Sequence, residues 1–345
     1  MKHRLKQILR AVIGECGIDK LRQIYASRKA RECTMACCDY DARRMINFSG
    51  ACNHGTRGAA LSEIIATYHI VEKGLTMPHR RLAFGRSAVL RLLRNVDEYE
   101  SRYGKEESQI IQAASVVVEY WLMHRKAIED GRVDFDERFM MELEDFAQRH
   151  DCRVNVGQTH ITREMFYKDR NSDFAAFSKA RHTLRHYENR ELTVERIAGA
   201  IKIALSTPSA CNRQYCRVHC ITDKAEIKKL LEIQDGNRGF GDDADKLLIV
   251  TADMEGLLYP QERNDLYVNG GMFLMNLCYA LYYHEIAHCV LNWSKTESED
   301  LALRNIIAIK PSETVIAILT CGETPEEFDV AASLKKNIDE ILVVH

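Results

Sequence analysis

Along the first 170 residues, apolar side chains recur every three or four positions. SEIIATYHIVEKG (62–74), SAVLRLLRNVDEYESRYG (87–104) and SQIIQAASVVVEYWLMHRKAIEDG (108–131) each carry an apolar stripe on a polar background, the pattern of helices packed on one face. Strand-like alternation is scarce there. Nearer the start, Leu5, Ile8, Leu9, Val12 and Ile13 make another such stripe, expected to dock on the protein itself rather than on a membrane surface. From about residue 175 the rhythm changes. TVERIAGAIKIALST (193–207) predicts a helix with Thr193 as its N-cap and Glu195 in its first turn, where a negative charge suits the helix dipole. YCRVHCITD, KLLIVTADM and TVIAILTCG then predict strands, separated by the helices AEIKKLLEIQ and GGMFLMNLCYALYYHE. Helices and strands without regular βαβ spacing predict an α+β chain, mainly helical over 1–170 and mixed over 171–345.

Composition narrows the classes. A chain of 345 residues with 46% hydrophobic content can fill a sizeable core, and its net charge of −2 gives no general attraction to nucleic acid. No stretch reaches the roughly 20 apolar residues of a membrane span. Twelve cysteines without framework spacing, after a start with no signal segment, predict a cytoplasmic protein with free thiols. Cys33, Cys37 and Cys38 in CTMACC read as small apolar fillers, since adjacent cysteines cannot easily reach one metal ion from a regular element. Cys211, Cys216, His219 and Cys220 read as residues of a core strand, because alternation turns His219 away from Cys216 and Cys220.

YYHEIAHCV (282–290) holds His284, Glu285 and His288 in H-E-x-x-H order. On a helix that spacing puts two imidazoles on one face to grip zinc, beside a carboxylate able to act as general base. A third ligand is required, and CVLNWSKTES downstream offers neither a glycine-linked histidine nor a well-placed acid.

Three separated stretches suit an anion better. KARHTLRHY presents Arg181, Thr183 and Arg185 at alternate positions, so that an extended segment would project them together. STPSACNRQ supplies Ser209, Asn212 and Gln214 on a loop kinked by Pro208, and SLKKNIDEI adds Ser333, Lys335 and Lys336. HIVEKGLTMPHRRLAFGR (69–86), punctuated by Gly74, Pro78 and Gly85, carries Arg80, Arg81 and Arg86, as an anion clamp or a solvated basic turn.

The order and spacing of ARHTLRHY, STPSACNRQ, YCRVHCITD, GGMFLMNLCYAL, CVLNW, TVIAILTCG and SLKKNIDEI resemble the FMN-dependent nitroreductase family over about residues 175–345. The helical half is similar to the N-terminal extension of a subgroup found with surface-polysaccharide gene sets. The resemblance implies an FMN-binding fold with a central, mostly antiparallel sheet flanked by helices. It implies a phosphate held by Arg181, Thr183, Arg185 and Lys335, with His182, Ser333 and Lys336 beside them. Val290, Leu291, Asn292 and Trp293 would run along the flavin, and Ser209 and Asn212, with Pro208 and Gln214 in their loop, would reach the flavin of a second subunit in a homodimer. Reduced nicotinamide nucleotide, NADH or NADPH, would pass hydride to FMN and thence to a nitro, quinone or enone acceptor by a ping-pong route, with no catalytic protein side chain. In such proteins the long helix ends in a glycine turn. HEIAH stands there, so His284 and His288 are expected to end a helix, with Glu285 in place of the turn glycine, and Tyr215 in place of a proline. Arg80, Arg81 and Phe240 are expected near the substrate mouth, with the helical half as a lid or a docking domain. The alternatives are a flavin-binding or partner-binding protein without turnover, and a zinc hydrolase.

Overall fold

The computed structural model describes residues 2–48, 51, 52, 54–78, 81–132, 136–150 and 158–345, with the side chains of 2–13, 40, 44, 45 and 158 outside that description. The stripe from Leu5 to Ile13 and the side chain of Arg80 therefore lie outside it. Helix α1 (Lys2–Phe48), broken at Gly14 (φ 67°), precedes α2 (Arg57–Leu75), α3 (Arg86–Tyr103), α4 (Ser108–Glu129) and α5 (Glu137–Arg149). The four helices after α1 share one core: Val89, Leu92 and Val96 of α3 meet Ile64 and Val71 of α2, Tyr120 of α4 and Phe146 of α5. Asp136 caps α5 by accepting from the Arg138 and Phe139 amides. Gly74 sits inside the last turn of α2, where an added Cβ would lie only 2.1 Å from the Phe84 ring. Space, as well as punctuation, requires glycine there.

Helix α1 differs. Leu21, Tyr25, Met35, Ile46 and Phe48 are exposed. Cys38 is exposed, and Cys33 and Cys37 are only half-buried, which corrects the reading of CTMACC as small apolar fillers. These cysteines ride on a helix that meets the rest of the chain at the 3-10 turn Pro260–Asn264, where Arg263 pairs with Asp41 and Gln261 lies 3.6 Å from the Cys33 sulfur.

The remaining elements build a layered α+β body. Strands β1 (Gln158–Thr162) and β6 (Glu327–Ala331) pair antiparallel. A four-stranded antiparallel sheet has the order β2 (Cys216–Ile221), β3 (Lys246–Asp253), β5 (Glu313–Glu323), β4 (Ile286–Asn292). Short helices α6 (Arg163–Tyr167) and α7 (Phe174–Ala180) lead in, and β1 and α6 pack with the C-terminal elements although they precede residue 171. Alternation along the strands then sorts the core. Leu248, Val250, Leu319 and Cys321 face α8 (Val194–Ala204) and α10 (Asp265–Tyr283). Leu247, Ile249, Val315, Ile318 and Cys289 face α9 (Lys224–Gln234) and α11 (Glu297–Ile306). Thr193 is the N-cap of α8, with Glu195 in its first turn. No described helix is long and apolar enough to cross a membrane.

Candidate functional site

Helix α7 ends at Ala180 and the chain continues extended along the outer edge of β4, where the Leu184 amide donates to the His288 carbonyl at 3.0 Å. Leu184 is buried and pins the segment, leaving Arg181, Thr183 and Arg185 half-buried around it. The Nε atoms of Arg181 and Arg185 are both shut off from water without a hydrogen-bond partner, and among the described residues neither guanidinium is paired with a carboxylate. A buried, uncompensated guanidinium donor is costly, so each such atom asks for an acceptor.

The same strand supplies a third orphan, His288 Nε2. His288 Nδ1 lies 3.0 Å from the Ile286 carbonyl, so this nitrogen carries the proton and Nε2 is the bare acceptor. Burial, reinforced by the charge of Arg181, drives the imidazole pKa down to about 4 and keeps it neutral. His182 is also lowered, by burial first and then by the charges of Arg181 and Lys335, which places Lys335 beside this end of the segment. At the other end the Arg185 guanidinium stands 6.0 Å from the Phe240 ring centroid. Burial raises the Cys289 thiol there, against the pull of Arg185 and Lys73. The two arginines thus have separate neighbours within the chain.

The loop 208–214 lies elsewhere. Cys211, Asn212 and Gln214 hold left-handed φ of 52°, 55° and 49°. Ser209 Oγ accepts from the Gln214 amide at 3.0 Å, and the Ala210 amide donates to Asn269 Oδ1 at 2.8 Å. Pro208, Ser209 and Gln214 line a shallow pocket with Asn269 and Phe273 of α10. Arg181 acts instead on Cys278, nine positions along α10, about 13 Å at the rise of a helix. Among the described residues no hydrogen bond or ion pair joins the two sets.

Val290 and Asn292 are exposed and Leu291 is buried, as alternation on β4 requires, while Trp293 Nε1 donates to Asp300 at 3.1 Å. Ser333, with φ 44°, gives both its amide and its hydroxyl to Glu72 of α2. Lys335 and Lys336 are exposed, as is Arg81. Phe240 is buried, and its ring carries the Lys73 ammonium at 4.9 Å.

The metal alternatives are overturned by geometry. Helix α10 stops at Tyr283, His284 is its C-cap, Glu285 turns the chain at φ 55°, and Ile286 opens β4. His284 ends the helix as expected, but His288 sits inside a strand, so the pair shares no helical face. Glu285 is engaged with Arg163 at 3.2 Å and with Arg170. On β2, His219 donates to Glu313 at 2.7 Å, while Cys216 and Cys220 pack against the α8/α10 side of the core and Cys211 lies outside on its exposed loop.

Lys73 was not singled out by sequence reasoning, and His288 was weighed only as a zinc ligand. Lys73 sits in an unremarkable amphipathic run, and only the fold puts it beside Arg185 and puts His288 beside Arg181.

The nitroreductase family model matches residues 179–237, the stretch that contains Arg181 to Gln214. An FMN-dependent nitroreductase from Clostridium difficile R20291 is 19% identical over 48% of this chain and 92% of its own, with a TM-score of 0.38. A protein from Desulfovibrio desulfuricans solved in complex with FMN is 17% identical over 50% of this chain and 97% of its own, with a TM-score of 0.43. At those scores neither bears on the chemistry of the site. No curated protein matches the chain.

Proposed function

We propose that this chain is an FMN-dependent oxidoreductase which takes hydride from NADH or NADPH and delivers it to a small nitro, quinone or enone-type acceptor in two half-reactions. The observation that carries this reading is the pair of buried, unpartnered guanidinium nitrogens of Arg181 and Arg185, within the stretch that matches the nitroreductase family. Phosphate oxygens satisfy such donors with charge-assisted hydrogen bonds. Arg181, Thr183, Arg185 and Lys335 would hold the phosphate, with His182, Ser333 and Lys336 nearby, and the backbone of Leu291–Trp293 would run along the ring. When bound, FMN would supply the hydride acceptance and donation itself. The chain is left to bind, orient and exclude water, which is why no acid–base pair is needed.

The reading includes a homodimer. Tyr267, Val268, Met272 and Met275 leave an exposed apolar face on α10, between the loop 208–214 and Cys278. Pairing two copies of α10 about a two-fold axis would carry Ser209 and Asn212 of one protomer toward the arginine segment of its partner. The described cysteines are all free, which suits a reducing cytoplasm. The helical half would act as a cover, since the Thr76 carbonyl accepts from His186 at 2.7 Å and Met77 packs into the core of the C-terminal half.

The absorbance spectrum of the purified protein, recorded without oxygen before and after NADPH, tests the proposal. Flavin bands that bleach are expected. A protein that neither carries nor takes up FMN would sink it, and colour that survives NADPH would favour the binding protein without turnover.

A further inference from the structure

Two cations from opposite halves of the molecule share one aromatic ring. Lys73 Nζ, in the last turn of α2, stands 4.9 Å from the Phe240 centroid, and the Arg185 guanidinium stands 6.0 Å from the same point. The ring face attracts both, but it does not neutralise either. The Lys73 ammonium donates to a neutral group, the Gly236 carbonyl at 2.6 Å. Among the described residues no carboxylate is paired with Lys73 or with Arg185, and Arg185 Nε is buried without a hydrogen-bond partner, its guanidinium facing the Cys289 thiol and the Phe240 ring. Lys73 is half-buried, and its pKa is lowered by burial and then by the charge of Arg185. Like charges held together partly out of water repel, and an anion between or beside them would relieve that repulsion.

We propose that Lys73 of the helical half, together with Arg185, binds the phosphate monoester of FMN, so that the cofactor site is built from both halves of the chain. This rests on the FMN reading above and extends it to a residue outside the stretch that matches the family. The last turn of α2 is held in place for this task from both sides: Glu72 grips Ser333, and the Thr76 carbonyl accepts from His186. Lys73 can therefore reach the C-terminal half only while those contacts stand.

The test is a fluorescence titration of flavin-free, full-length protein with FMN and, separately, with riboflavin, which lacks the phosphate. Lys73→Met is expected to weaken FMN binding by roughly tenfold or more, the loss of one charge-assisted contact, and to leave riboflavin binding unchanged. Lys73→Arg, which keeps the charge, is expected to stay close to the parent for FMN. An Arg181→Ala control separates the two levels of the argument. If Arg181→Ala weakens FMN binding and Lys73→Met does not, the inference fails and the FMN reading stands. If neither variant changes FMN binding, the FMN reading itself fails. Equal weakening of FMN and riboflavin by Lys73→Met would also overturn the inference, since it would show an effect through the fold rather than on the phosphate.

Discussion

Glu72 on α2 and Ser333 beyond β6 are fastened twice: one carboxylate accepts the Ser333 amide at 3.0 Å and its hydroxyl at 3.2 Å. Gln112 of α4 donates to the same carboxylate at 3.1 Å. A charge buried to 4% exposure is thereby paired by neutral donors from two distant parts of the chain. The helical half and the C-terminal tail are locked at this point.

Removing the acceptor leaves those donors stranded. Glu72→Ala is expected to cost about 2–3 kcal/mol, the penalty of buried unsatisfied groups, read from urea denaturation. A cost below about 0.5 kcal/mol, the range of surface substitutions, would mean the lock contributes nothing. Burial by itself would raise the Glu72 pKa, but the hydrogen bonds from His69 and Ser333 outweigh it and hold the group below its ordinary 4.5. A depressed carboxylate stabilises the fold above its unfolded value and loses that contribution as pH falls through the folded one. The parent should therefore lose stability below pH 4.5 more steeply than Glu72→Gln.

Glu285 occupies a left-handed conformation at φ 55°, which costs a non-glycine residue roughly 1 kcal/mol. Its carboxylate recovers part of that through Arg163 and Arg170. Glu285→Ala keeps the strain and loses the pairs, while Glu285→Gly loses the pairs and the strain together. Glycine should be the more stable variant by about 1 kcal/mol in thermal melts. The reverse order would contradict a strained turn.

His288 titrates near 4 in the folded chain against an ordinary 6.5, because burial excludes the charged form. Its contribution is complete above pH 6.5 and is lost as pH falls toward 4, since the unfolded chain takes up the proton first. His288→Gln should show a flatter dependence of the urea midpoint over that interval. Identical slopes for parent and variant would place the ring in water.

The apolar face of α10 is expected to carry the dimer. Val268→Asp combined with Met272→Asp should give a monomer by light scattering and lower the FMN content, because the loop 208–214 could no longer reach a partner's flavin. A charged variant that stays dimeric with full flavin would move the interface elsewhere.

Much of this fold is legible in the chain, and the gaps have physical causes. Strands β2, β3 and β5 lie within YCRVHCITD, KLLIVTADM and, for the most part, TVIAILTCG, because β-branched and apolar residues filling both faces of a covered sheet leave an unambiguous run. Strand β4 is hidden. YYHEIAHCVLNW runs on from a helix with no glycine or proline, and the reversal is made by Glu285 in a conformation its residue type does not advertise. That concealment is what made a zinc motif readable across a helix end. Strands β1 and β6 are short and pair with each other across about half of the chain, so local pattern carries little of them. The arginine segment is visible from its alternation. Lys73 was not visible, because the carbonyl that fixes it lies 163 residues away.

The lock between Glu72 and Ser333 also sets a clock on synthesis. Ser333 follows Glu72 by 261 residues, so at about 5–20 residues per second it leaves the ribosome roughly 13–50 s later. Throughout that interval the helical bundle has its apolar core and the Gln112 amide on Glu72, but lacks the amide and hydroxyl of Ser333. Water has to take their place at Glu72 until the tail arrives, and the last turn of α2 lacks its final fastening before then. Nascent chains stalled upstream of β6 would therefore hold a bundle open at the very turn that carries Lys73.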